Sequence, residues 1–169
     1  IIIGVKEYKD IPDTMFSDND ANNFYDYAKN SLGVPPKNIH TFINSEAQLY
    51  DLYDLEPWLK RNINEKSNIY LFYSGHGMTV NDTTYFLPHD FRRSQIERSA
   101  FNKEKYLDSI LKHNPNHLYA FFDACFTGQN REGELLIASA KNINIAVEDM
   151  PKDNLTIFNS SKRDEFSTD

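Results

Sequence analysis

The sequence predicts an α/β fold, a mainly parallel β-sheet with helices on both faces. Two observations carry that expectation. Short apolar runs alternate with segments of helical period, in the order β-α-β-α-β-α-β with a late β. The chain, at 169 residues, also suits one domain with a substantial core.

The elements follow in chain order. Residues 1–5 (IIIGV) form a strand by length and β-branching. Residues 6–17 are a loop with one proline. Asp18 or Asp20 is placed to cap a helix over about 21–32, ended by Gly33 and Pro35-Pro36. Residues 39–43 make a second strand. Ser45-Glu46-Ala47-Gln48 has the S-x-x-Q form of a capping box, and Leu49, Leu52, Leu55, Trp58 and Leu59 form a helical stripe behind it. Residues 69–73 are a core strand. Asn81-Asp82, between β-prone runs, predicts a hairpin or an excursion within 78–88. Tyr106, Leu107, Ile110 and Leu111 mark a third helix, stopped near Asn114-Pro115. Residues 117–123 (HLYAFFD) are another core strand and 154–158 the last. The polar stretch 129–153 reads as a linker or processing region inside a single domain spanning 1–169.

Composition narrows the function. Hydrophobic residues make up 40% and charged residues 25%, as in a soluble globular chain. No apolar run approaches the ~20 residues of a membrane span. The net charge of -7 argues against a nucleic-acid surface, while an acidic pocket would welcome a basic ligand. Cys125 is the only cysteine, so no internal disulfide forms, which fits a reducing compartment, with a cytoplasmic setting expected, or simple disuse of disulfides. The chain opens on isoleucine, so a piece of a longer protein is expected.

In sheets of this kind ligands sit beyond the carboxyl ends of strands. Three such ends carry unusual residues: the loop with Asp18 and Asp20, the loop 74–77 (SGHG) and the loop 124–128 (ACFTG). His76 stands between two glycines and Cys125 lies on what should be a neighbouring strand end. A cysteine beside a histidine is the minimum for thiolate catalysis: imidazole helps ionise the thiol and later protonates the leaving amine. Gly75 and Gly77 let the backbone approach a substrate closely. The N–H groups of Gly77 and Cys125 are placed to hold an oxyanion together.

These residues resemble a known family. Tyr73-Ser74-Gly75-His76-Gly77 and Asp123-Ala124-Cys125-Phe126-Thr127-Gly128 are similar to the caspase-like cysteine peptidases, in which a histidine lies about 50 residues upstream of the cysteine. Asp123 stands where animal caspases have Gln, and two residues separate Cys125 from Gly128. Both departures resemble metacaspases and bacterial caspase-like proteins. The resemblance implies a catalytic dyad of His76 and Cys125 and a specificity pocket lined by Asp20, Ser74 and Asp123. Residues two apart in an extended strand point the same way, so Asp123 should project on the side of Cys125 and Ser74 on that of His76. Two carboxylates in one pocket favour Arg or Lys before the scissile bond of a protein or peptide substrate. No organic cofactor is implied. Some metacaspases are calcium-activated, but residues for that are not identifiable here. The family usually carries a sixth strand, so the chain resembles a large subunit whose C-terminal remainder, or a small-subunit-like segment, is its partner. Cuts in the 129–153 region, beside Arg131, Lys141 or Lys152, are expected to accompany activation.

Blander readings stand beside these. A lone cysteine is most often a buried small hydrophobe. Asp123 can cap a turn and Asp20 a helix. Asp18-x-Asp20-x-Asn22 opens like a calcium loop, but Asn23 and Lys29 stand where it needs Gly and Glu. His113 and His117 are separated by Pro115, which disfavours a shared helix face and a zinc site. The rival function is a catalytically silent domain serving as a binding or scaffold module. A third reading is a protease of the same fold with a different pocket.

Overall fold

A computed structural model describes residues 1–126 and 152–160. In chain order they form β1 (Ile2–Gly4), α1 (Ser17–Asn30), β2 (Thr41–Ile43), α2 (Leu49–Tyr53), α3 (Glu56–Asn62), β3 (Asn68–Ser74), β4 (Gly77–Val80), β5 (Thr83–Phe86), α4 (Ile96–Ser99), β6 (Phe101–Asn102), α5 (Lys103–Leu111), β7 (His117–Asp123) and β8 (Leu155–Asn159). Five strands make a parallel sheet in the order β2-β1-β3-β7-β8. The other three make a small antiparallel sheet, β4-β5-β6.

The two-residue period of the central strands sorts the core into two layers. Leu71 and Tyr73 of β3 lie beside Ala120 and Phe122 of β7, all buried. They pack with Leu52 of α2, Leu59 of α3 and Tyr106, Leu107 and Ile110 of α5. Each such side chain stabilises the fold by about 1.5–3 kcal/mol when fully buried. The alternate residues meet α1 on the opposite face. Phe24 stacks on Phe72 with ring centroids 4.5 Å apart and lies 5.4 Å from Phe121. Helices therefore cover both faces, as the β/α alternation predicts.

Several local expectations need correction. Helix α1 begins at Ser17 with Phe16 in the N-cap position, and no side chain caps it. Asp18 and Asp20 lie inside its first turn, where carboxylates are favoured by the helix dipole. The S-x-x-Q motif makes no capping box. Residues Asn44–Glu46 form a 3-10 turn, and the Gln48 amide donates to the Ser45 carbonyl at 3.0 Å. The N–H of Leu49 donates instead to Asp90 Oδ1 at 2.9 Å, a cap supplied from a distant loop. The stripe from Leu49 to Leu59 is split over α2 and α3. Pro57 is at the start of α3, because it lacks the N–H that a continuous helix would need there. The hairpin forms as expected: Asn81 and Asp82 have φ of 48° and 60°, the left-handed pair that a two-residue turn requires.

A second, smaller core matters for the site. Ile11, from the loop between β1 and α1, packs with Met78, Leu87, Phe91 and Ala100. It ties that loop to the β4-β5 hairpin. Most of the linker region expected at 129–153 lies outside the described residues. Among those described, no helix is long and apolar enough to cross a membrane.

Candidate active site

Strands β3 and β7 are parallel neighbours whose ends coincide: Ser74 is the register partner of Asp123. His76 follows β3 by two residues and Cys125 follows β7 by two. The turns beyond the strands are joined by a hydrogen bond from the Gly75 N–H to the Asp123 carbonyl, 3.3 Å. Both loops open at the carboxyl edge of the sheet.

His76 is held at its main chain and at its ring, and is 7% exposed. Its N–H donates to the Tyr8 hydroxyl at 2.8 Å. Its carbonyl accepts from the Tyr73 hydroxyl at 2.6 Å and from the Leu87 N–H at 3.0 Å. Nε2 lies 2.9 Å from the Pro12 carbonyl, which can only accept, so Nε2 carries the proton. In the neutral ring Nδ1 is then the basic nitrogen. The Tyr8 ring packs against the imidazole, centroids 4.9 Å apart.

The glycines on either side are occupied by neighbours rather than by empty space. A Cβ on Gly75 would lie 2.8 Å from both the Tyr73 and the Tyr8 hydroxyl oxygens. On Gly77 it would lie 2.5 Å from the Phe126 ring and 3.2 Å from the Cys125 carbonyl oxygen. The histidine loop and the cysteine loop are thus in contact at Gly77. Because the Leu87 N–H donates to the His76 carbonyl, the adjoining Gly77–Phe86 pair is of the non-hydrogen-bonded kind. The Gly77 N–H is therefore directed away from β5. Cys125 forms no disulfide and is half-buried.

The three expected pocket residues come from three elements. Ser74 is fully buried at the end of β3. Its hydroxyl donates to Asp20 Oδ2 at 3.2 Å, which draws the first turn of α1 to the strand end. Asp123, half-buried, is beside Ser74 in register and on the same sheet face. Helix α1 approaches this closely because β1 ends in Gly4: a Cβ there would lie 2.4 Å from Ala21 Cβ and 2.6 Å from the Ser17 carbonyl oxygen.

A family model described as the caspase domain matches residues 1–169. The chain belongs to the caspase-domain family. No curated protein matches it. For this caspase domain the match supports classification among the cysteine peptidases at family level, and the sheet order agrees with a caspase-like arrangement.

Three contributors to the caspase domain's site were not legible in the sequence. Pro12 acts through its carbonyl, which every residue possesses, so no motif could mark it. Tyr8 was hidden among the polar residues of a loop. Phe126 belongs to the cysteine motif, which gives no sign that its ring occupies the space beside Gly77. Among the described residues no three His, Cys, Asp or Glu side chains gather as a ligand group. His113 instead meets Glu56, 3.3 Å from Oε1, and His117 Nε2 lies 2.8 Å from the Thr156 hydroxyl.

Proposed function

We propose that this caspase domain is a cysteine endopeptidase of the metacaspase or bacterial caspase-like type, cleaving after Arg or Lys with His76 and Cys125 as its dyad. The observation that carries the reading is the coincidence of the β3 and β7 ends, with a histidine two residues beyond one and a cysteine two residues beyond the other. Cys125, as thiolate, attacks the carbonyl carbon that follows the basic residue. The N–H groups of Gly77 and Cys125 take the oxyanion. The tetrahedral species collapses, the C–N bond breaks, and His76 passes to the departing amine the proton that its Nδ1 took from the Cys125 thiol. Water then attacks the thioester and restores the thiol.

The pocket reading is supported by the Ser74–Asp20 hydrogen bond and by the pairing of Ser74 with Asp123. It gives a substrate guanidinium or ammonium two carboxylates and a hydroxyl. The finer attributes belong to the same proposal: a cytoplasmic setting and self-cutting within 129–153.

The test is an electrophilic peptide ending in Arg, offered to the wild type and to Cys125→Ala. The expected result is covalent labelling of the wild type at Cys125 and none in the variant, with cleavage of the matching substrate lost in both Cys125→Ala and His76→Ala. Absence of both labelling and cleavage in the wild type would leave the silent scaffold module as the better reading. Cleavage at the wild-type rate by Cys125→Ala would exclude the mechanism.

A further inference from the structure

We propose that Tyr8 and Tyr73 are positioning residues, whose hydroxyls clamp the two peptide groups of His76 and so fix where its imidazole stands. The proposal rests on the peptidase reading of His76 and deepens it.

The two tyrosines arrive from different places. Tyr73 is in β3 and is 1% exposed, in the main core. Tyr8 belongs to the loop after β1, and its ring packs against both the main core and the smaller one. Their hydroxyls nonetheless converge on the space above Gly75, each 2.8 Å from where a Cβ would stand. From there they act on opposite sides of one residue. Tyr8 accepts the N–H of His76 at 2.8 Å, and Tyr73 donates to its carbonyl at 2.6 Å. With both peptide groups held, the backbone dihedrals that aim the side chain have little freedom.

Tyr8 has a second grip on the same residue. Its ring lies against the imidazole, and its own loop supplies the Pro12 carbonyl that holds Nε2. That loop is braced internally: the Tyr8 N–H donates to Asp13 Oδ1 at 3.0 Å and the Thr14 N–H to the Lys6 carbonyl at 2.9 Å. Ring orientation and main-chain position are therefore set by one rigid segment. Burial raises both phenols well above their usual range, so they remain neutral hydroxyls and take no part in proton transfer.

A merely structural account would treat the hydroxyls as fillers of hydrogen-bonding need. Tyr106 is the internal comparison. Its buried hydroxyl has no hydrogen-bond partner among the described residues, and its ring lies against Phe101 in the main core. Removing that hydroxyl should not affect the reaction, whereas removing those of Tyr8 or Tyr73 should.

The experiment compares wild type with Tyr8→Phe, Tyr73→Phe and Tyr106→Phe. It measures kcat and KM on an Arg peptide, the melting temperature, and the His76 ring signals by NMR in the same proteins. Loss of one such hydrogen bond is expected to lower kcat by roughly three- to ten-fold in the first two variants. KM should stay within about two-fold, because the substrate pocket is untouched. The His76 ring signals should move in both variants and stay fixed in Tyr106→Phe, which should also keep its kcat. If Tyr73→Phe fails to fold, Tyr8→Phe decides alone, since its ring and loop remain. Unchanged kcat with unchanged His76 signals in Tyr8→Phe would overturn the proposal, as would a loss confined to KM. Should the wild type cleave nothing, the peptidase reading fails, and the ring signals still decide the clamp.

Discussion

Asp123 is the residue on which substrate choice turns under the proposed reading. A guanidinium entering the pocket loses water and gains a carboxylate. Removing one partner of such a desolvated pair typically costs about 2–5 kcal/mol. At about 1.4 kcal/mol per decade, Asp123→Ala should slow cleavage after Arg by roughly 30- to several-thousand-fold. Asp20→Ala should cost less, because Asp20 reaches the strand end through the Ser74 hydroxyl. Both variants should still be alkylated at Cys125 by a small electrophile. Matched peptides with Arg, Lys, Gln or Asp before the bond make the measurement. Faster cleavage of the Asp peptide would refute the pocket while leaving the dyad standing. These side chains are marked in the sequence by the resemblance of their motifs to the caspase-like peptidases. Pro12 and Tyr8 are not, since one contributes only a carbonyl and the other sits in a loop without pattern.

Contacts between elements give tests that need no substrate. Gly4→Ala would drive a methyl group to within 2.4 Å of Ala21 and 2.6 Å of the Ser17 carbonyl, separating α1 from β1. Such overpacking costs about 1–3 kcal/mol, to be read as a lowered urea midpoint. Tyr106→Phe should do the opposite, because it removes a buried hydroxyl without a partner among the described residues. Leaving such a group unsatisfied costs about 1–3 kcal/mol, so the variant should melt no lower than wild type, and a clear loss would reveal a partner. Helices α3 and α5 are joined by Glu56, 2.7 Å from Lys112 Nζ. The hydrogen bond from Lys112, with help from His113, holds the Glu56 carboxyl below its ordinary range. A depressed carboxylate adds stability above its unfolded value and loses it as pH falls through the folded one. Glu56→Gln should therefore lower the urea midpoint slightly at pH 7, and the difference should shrink as the pH falls through the depressed range of the folded carboxyl. A difference that persisted in acid would mean the ion pair is not its source. The capping of α2 shows why helix starts were harder to read than strands. Its donor is satisfied by Asp90, and a partner brought in by the tertiary fold leaves no mark near Leu49.

At the scale of the whole molecule, the parallel sheet was readable because it depends on two periods, of strand and helix, repeated several times. The sequence puts the start of α1 one turn too late, because Asp18 and Asp20 suit a cap or a first turn equally well. The processing expectation is also a property of the whole chain. Wild-type protein that has become active should differ in intact mass from Cys125→Ala by more than the substitution, with new ends inside 129–153. Equal masses after correction would argue against self-cutting and leave cleavage of other proteins untouched. The pairing of Ser74 with Asp123 also makes the acidity of the proposed pocket a matter of parity. Successive residues of β7 point to opposite faces, so the charge at this position depends on counting correctly along the strand. Removing a single residue from His117–Asp123 ahead of its end, with the register at its start retained, would exchange which face Asp123 meets. The composition would barely change, yet the mouth beside Ser74 would lose its carboxylate to the core and the core would gain a charge. Insertions and deletions in this strand should accordingly be tolerated far less than substitutions at its half-exposed positions Tyr119 and Phe121.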